Sequence, residues 1–356
     1  MGKFIRKIVI YVSVLFMLIQ LLYAFIPYHW GNPYFSAKIS HLEDSVNKGY
    51  NLYFFGSSRV NRQIDPFVFD SVIHEESKIN IKSFNLGSPA TFCPQAYYLY
   101  EQFLNSDIGK NANYCLIELM PVNAISDFFF HQEQTNYWLN LGELKFIIEA
   151  NFNNDKISNK AKKKNIRRYL TSYLENKFHI GHSGKQIITK NYYDKRFVGQ
   201  RYDGYYPMDL ELRTVKDELI VKHLTQISEE IKKDSSILNN RLNHAIEHYN
   251  NIADDFDSVH FNRISKMIEN ANELDIHTVF FISPRSSSQE LINLFNAIPN
   301  KNKIDMANPF LYKDYYLLKY AFDRGHLNEN GAQLYSVDIA KELIQLIEKN
   351  DPNNIN

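Results

Sequence analysis

The sequence has no excess charge of either sign: Lys and Arg total 40 and Asp and Glu total 40 across 356 residues. That balance excludes the broad basic field expected of a nucleic-acid-binding surface. Cysteine is scarce, with only Cys93 and Cys115, and the sequence leaves open whether they pair. Cys115 falls in an apolar run and reads as a small buried hydrophobe. Cys93 has no basic neighbour to activate its thiol and reads as structural. A small-x-small cleavage site is also missing after the N-terminal apolar run, where Leu21-Leu22-Tyr23-Ala24-Phe25-Ile26-Pro27 stands instead. That absence argues against a removed secretion signal and for a retained anchor.

The anchor runs from Ile8 to Ile26, interrupted only by Ser13 and Gln20. At about 1.5 Å per residue it nearly spans a hydrocarbon core of about 30 Å. Lys3, Arg6 and Lys7 precede it and predict a cytoplasmic N-terminus, so the remainder lies outside the cytoplasm, in the periplasm or at the cell surface. Tyr28 and Trp30 are expected at the far interface as aromatic anchors. Residues 1–30 thus form a tail and transmembrane anchor, and 31–49 a linker with a short helix. The length of 356 residues is enough for one large domain or two medium ones, and with 44% hydrophobic residues a substantial core can be buried. Aromatics reach 14%, which reads first as core packing and second as lining for a carbohydrate or acyl groove.

Beyond the linker, apolar runs alternate with helical periodicity. Tyr50–Phe55 reads as a buried strand stopped by Gly56, Lys82–Leu86 as a second stopped by Gly87, and Tyr114–Met120 as a third stopped by Pro121. Asp65-Pro66 predicts a helix start, and Gln95–Leu104 a further helix. The rhythm returns with a helical face at Val259, Ile264, Met267, Ile268, Ala271 and Leu274, then a strand at Thr278–Ile282 and a helix at Gln289–Ala297. A last helix has Leu334, Val337, Ala340, Leu343, Ile344 and Ile347 on its inner side. This pattern predicts an α/β fold with a mainly parallel sheet covered on both faces, built from residues 50–126 and 256–350. Residues 127–255 are rich in Asn, Lys and Tyr and read as a largely helical insertion or cap, with helices near Leu141–Ala150, Asn165–Leu174 and Leu219–Asn250. The basic stretch Lys156–Arg168 reads as a solvated helix face, or as a surface for anionic glycan or lipid headgroups.

In a parallel sheet, ligands bind outside the carboxyl ends of the strands. Gly56-Ser57-Ser58-Arg59, Asn85-Leu86-Gly87 and Pro121-Val122-Asn123 each follow such an end. A serine hydroxyl needs a base to become a nucleophile, and histidine suits that task near neutral pH. His326, in Asp323-Arg324-Gly325-His326 before the last helix, is the candidate base, and Asp323 can fix its tautomer from three residues away. Asn328 is a candidate N-cap for that helix. The Gly87 amide, the Asn123 side chain and the serine's own amide are candidate oxyanion donors. Arg59 can meet an anionic substrate group or brace the turn through a salt bridge.

The order serine, glycine, asparagine, Asp/His resembles the SGNH (GDSL-like) hydrolase superfamily. Gly56-Ser57-Ser58 resembles its Gly-Asp-Ser block, with Ser57 in place of Asp, which implies Ser58 as nucleophile. Gly87 corresponds to the glycine block, and Asp323 and His326 to the Asp-x-x-His block. Met120-Pro121-Val122-Asn123 keeps only the asparagine of the Gly-x-Asn-Asp block. The resemblance covers residues about 50–125 and 258–348. It implies a three-layer α/β/α fold of SGNH/flavodoxin-like type and serine acyl-ester chemistry without a cofactor or metal. The Gly-Ser-Ser variant and the anchor resemble the extracytoplasmic branch that acylates teichoic acids and exopolysaccharides. Its partners are an acyl donor, a surface-glycan acceptor and, in many members, a multi-span membrane O-acyltransferase.

Three alternatives stand beside an O-acyltransferase. One is a carbohydrate or lipid esterase of the same fold. Another is an inactive membrane-anchored scaffold for envelope-polymer assembly. The third is a zinc enzyme, since His244-Ala245-Ile246-Glu247-His248 matches H-x-x-E-H, although its polar surroundings favour a solvated helix face.

Overall fold

The structure is a computed structural model, and it describes residues 2–24, 27–45, 48–122, 125, 127–130, 132, 134–178, 194–286 and 288–350. Helix α1 (Gly2–Ala24) exposes most of its apolar side chains. Its Gly2–Leu21 stretch, of mean hydropathy 2.0, is long and apolar enough to cross a membrane. The segment that follows is not a loose tether. Asn32 caps α2 (Pro33–Glu43) by accepting from the Phe35 amide at 3.1 Å, with Pro33 at the first helical position. This helix buries Phe35, Lys38, Ile39 and Leu42 in the domain. Trp30 is only 2% exposed and packs 5.4 Å from the Tyr137 ring. The expected interfacial anchor is therefore a core residue, because its indole finds a protein partner in place of lipid headgroups.

Five parallel strands follow: β1 (Leu52–Phe55), β2 (Ser83–Asn85), β3 (Tyr114–Glu118), β4 (His277–Phe281) and β5 (Lys303–Ile304). Their order is β2-β1-β3-β4-β5, with Phe54 beside Asn85 and Leu116, Ile117 beside Phe280, and Phe281 beside Ile304. Short α3 (Ser58–Gln63) and α4 (Pro66–Glu76) link β1 to β2, and α5 (Cys93–Leu104) leads to β3. Between β3 and β4 lie α6 (Asp127–Phe130), α7 (Thr135–Trp138), α8 (Leu141–Asn153), α9 (Asn159–Phe178), α10 (Met208–Thr214), α11 (Glu218–Lys233), α12 (Ser236–Asn250) and α13 (Ser258–Asn272). Helix α14 (Gln289–Ala297) precedes β5, and α15 (Glu329–Asn350) closes the domain. The helical stretch expected at Leu219–Asn250 is two helices, broken where the Asp234 carboxylate accepts from the Ser236 amide at 3.0 Å.

Alternation along β1 sends side chains to opposite faces. Leu52 and Phe54 join Val60, Phe69, Ile339 and Leu343, from α3, α4 and α15. Tyr53 and Phe55 join Tyr97, Tyr100, Phe103 and Met267, from α5 and α13. With helices packed on both faces, β1 is fully buried and β3 and β4 are buried after their first residue, which explains their nearly unbroken apolar character. The chain leaves β1 toward β2 on one side and returns to β3 on the other. In open parallel sheets ligands bind at such a reversal, here outside the carboxyl ends of β1 and β3.

Candidate active site

Gly56 ends β1 because nothing larger fits: a Cβ there would come within 2.4 Å of Val60 and 2.6 Å of the Glu118 Cβ. The chain then turns directly into α3. Ser57 caps that helix, its Oγ accepting from the Arg59 amide at 3.2 Å. The Ser57 amide donates to Glu118 Oε2 at 2.8 Å. At the other end of α3, the Asn85 amide group donates to the Val60 and Ile64 carbonyls, both at 2.7 Å. The turn that carries Ser58 is thus fixed from β3 below and from β2 beside it.

Ser58 Oγ lies 2.8 Å from His326 Nε2. His326 Nδ1 lies 2.9 Å from Asp323 Oδ2 and 3.1 Å from Oδ1. Oδ1 also accepts from the Gly325 amide at 2.6 Å and the His326 amide at 2.7 Å. Burial raises the Asp323 pKa, but the His326 hydrogen bond and charge and the two amides outweigh it and hold the carboxyl at about 2. The carboxylate therefore keeps the proton on Nδ1 and leaves Nε2 as the acceptor facing the serine.

Arg285, just after β4, holds the loop from behind. Its Nη1 donates to the Asp323 carbonyl at 3.0 Å and the His326 carbonyl at 3.1 Å. Its Nε donates to the Tyr315 carbonyl at 2.7 Å, and Nη2 bonds the same oxygen. Burial pushes its pKa down to about 10, yet the side chain remains a cation enclosed by carbonyl oxygens. Its backbone sits at φ 63, a left-handed conformation uncommon for a residue with a side chain. Asn328 caps α15 as expected, accepting from the Gly331 amide at 2.9 Å.

The other expected site residues are placed as follows. Gly87 does approach α3 closely, with its Cβ position 2.5 Å from the Asn61 amide nitrogen. Its own amide donates to Asn85 Oδ1 at 2.9 Å, so the expected oxyanion donor is already committed within the protein. Asn123 lies outside the described residues. Ser58 opens α3, and the amides of a first helical turn lack intrahelical acceptors, so the serine's own N–H has no partner within the helix. Arg59 is part-exposed, its Nη1 3.9 Å from Glu118 Oε1.

Like Arg285, two further buried charged residues escaped the sequence. Glu118 is fully buried beneath the Ser57 turn. Lys38, also fully buried, donates to Asn61 Oδ1 at 2.7 Å and the Gly87 carbonyl at 2.6 Å. Burial holds the Lys38 pKa well below its ordinary value. Charged residues in otherwise apolar segments were the available signal.

The remaining candidates separate from the site. Cys93 and Cys115 are both free and buried. Burial raises both thiols, so neither is reactive. His244 and Glu247 are exposed, and no group of His, Cys, Asp and Glu among the described residues can hold a metal ion. No family model matches the chain, and no curated protein matches it in sequence.

Proposed function

We propose that the protein is a membrane-anchored serine acyl-ester enzyme of the SGNH type, with the three-layer fold of that superfamily. It acts as an O-acyltransferase on an extracytoplasmic surface polysaccharide, through Ser58, His326 and Asp323. The observation that carries this reading is the 2.8 Å approach of Ser58 Oγ to His326 Nε2, made by residues 268 apart in sequence. A nucleophile bonded to a base that is itself oriented by a carboxylate is the arrangement such chemistry requires.

In the first half-reaction Ser58 Oγ attacks the acyl carbon while Nε2 takes the hydroxyl proton. The tetrahedral oxyanion is met by the Ser58 amide. Its collapse breaks the bond to the donor's oxygen or sulfur, and the imidazolium returns the proton to that leaving group. The second half runs the same steps in reverse. A sugar hydroxyl gives its proton to Nε2, attacks the acyl-serine and leaves as the acyl ester, with the Ser58 hydroxyl restored. Water in place of the sugar gives the esterase alternative. The anchor supports placement at the cytoplasmic membrane with the domain outside, beside a multi-span acyltransferase able to deliver the acyl group.

The test is hydrolysis of 4-nitrophenyl acetate by the full chain in detergent, with a sugar oligomer as competing acceptor. The wild type is expected to release nitrophenol and to form acetylated sugar. Ser58→Ala and His326→Ala are each expected to lower kcat by about 10³-fold or more. Equal rates for all three proteins would leave the scaffold alternative standing.

A further inference from the structure

Resting on α1 as a membrane-spanning helix, we propose that α9 lies on the surface of the same bilayer and binds the headgroups of anionic phospholipids there. Its place, its charge and its exposed leucines each fit that role. Helix α1 is exposed along most of its length, but Ile19 is only 3% exposed, and Leu15, one turn before it, and Gln20 are partly buried. Helix α9 comes up to α1, with Cα atoms of the two helices within 8 Å of one another. Ile19 lies two residues before the end of the apolar Gly2–Leu21 stretch, so only about 3 Å along the axis separates it from the end of the span. A helix touching α1 at that level stands where hydrocarbon gives way to headgroups.

The chain is neutral overall, yet α9 carries seven Lys and Arg residues against one carboxylate, Glu175. The helix sorts its cations by face. Lys162 turns inward and donates to the Phe152 carbonyl at 2.6 Å. Arg168 donates to the Ile125 carbonyl at 3.1 Å and lies over the Phe130 and Tyr169 rings. Lys160, Lys163, Lys164 and Arg167 are exposed, and among the described residues none of them is in ion-pair contact with a carboxylate. Tyr169, Ser172 and Asn176 are buried on the inner face, whereas Leu170 and Leu174 remain 43% and 54% exposed. Lys163, Arg167, Leu170 and Leu174 recur at i, i+4, i+7 and i+11, so they form one outward stripe. Cations in line with leucines suit the boundary between headgroups and acyl chains. A soluble anionic glycan would meet the cations, leave the leucines in water and gain nothing from the closeness of α1. Such a face holds a bilayer only marginally by itself. Tethering by α1 makes its seating an intramolecular event, and the domain is then held at two points.

The experiment uses the full chain with Leu174→Cys in lipid nanodiscs. Cys93 and Cys115 are buried, so a nitrobenzoxadiazole label goes to position 174. Quenching of that label is read with a lipid carrying a nitroxide near its headgroup. In phosphatidylcholine discs containing about 30% phosphatidylglycerol, quenching is expected to be at least about twofold stronger than in phosphatidylcholine alone, and the difference is expected to shrink in about 0.5 M salt. Adding Lys163→Gln, Lys164→Gln and Arg167→Gln is expected to cut the quenching at least about twofold in a chain with an unchanged melting temperature, while Lys163→Arg with Lys164→Arg keeps it. An unquenched label, equal quenching in neutral and anionic discs, or quenching untouched by the glutamine substitutions overturns the inference. So does a soluble oligogalacturonate that binds the detergent-solubilised chain through these residues while the label stays unquenched, which assigns the face to a glycan. Alkaline carbonate washing of membranes carrying the full chain separates the two levels. A chain that washes off overturns the span and the inference with it. A chain that stays, with its label unquenched, overturns the membrane contact of α9 alone.

Discussion

Glu118 and the Ser57 amide are 61 residues apart in sequence and 2.8 Å apart in space. The contact ties the end of β3 to the turn after β1, one residue before Ser58. It is possible because Gly56 leaves the carboxylate room, its missing Cβ falling 2.7 Å from Glu118 Oε2. Removing the acceptor would strand a buried amide and open a void. Glu118→Ala is therefore expected to cost about 2–4 kcal/mol. Glu118→Gln keeps an acceptor and is expected to cost about 1 kcal/mol. Urea denaturation of the two variants checks the difference.

Arg285 bonds three carbonyl oxygens on two segments with one planar group. A lysine ammonium has no such fork. Arg285→Lys is expected to lower kcat for ester hydrolysis by about 10–100-fold through misplacement of His326, with KM little changed. Steady-state kinetics separate the two parameters, and an unchanged kcat would show that the loop holds its shape without Arg285.

Asp323 links the site to acid stability. Its carboxyl falls from an ordinary 3.8 to about 2 in the folded chain. A depressed carboxyl pKa stabilises the fold above the unfolded value, and that contribution disappears as pH falls through the folded one. About 2 kcal/mol is expected to be present above pH 4 and lost between about 4 and 2. Asp323→Asn is expected to lack this part of the acid dependence. Denaturant midpoints measured from pH 5 to pH 2 check it.

The junction of α1 and the domain gives a truncation test. Removing residues 1–24 takes away α1 and is expected to yield a folded domain that no longer sediments with membranes. Removing residues 1–43 also takes away Trp30, Phe35, Ile39 and Leu42, which are buried. At about 1.5–3 kcal/mol for each large apolar side chain, that loss is as large as typical domain stability. The longer truncation is expected to be insoluble or unfolded by circular dichroism.

The parallel sheet was legible because buried parallel strands are apolar runs ended by glycine or proline; β1 to β3 lie within the expected segments, and β4 begins one residue before its expected start at Thr278. β5 was not, because Lys303–Ile304 is too short to show any period. Ser58, Asp323 and His326 stood out through residue type and position after a strand or before a helix. Glu118 did not, because an apolar run predicts a strand whatever the last residue does. Lys38 was visible only as a charge among buried neighbours, and Arg285 acts through carbonyl oxygens, which leave no mark in a sequence. Trp30 was misplaced because a tryptophan after an apolar helix suits a membrane interface and a protein core equally well.

The central claim is that Ser58 is a nucleophile activated by His326, and covalent labelling tests it most directly. Full-length protein is treated with a fluorophosphonate and digested, and the adduct is located by mass spectrometry. The expected result is one adduct on the peptide containing Ser58, absent from Ser58→Ala and slowed by about 10³-fold or more in His326→Ala. Labelling that persists in Ser58→Ala, or that proceeds at the wild-type rate without His326, would contradict it.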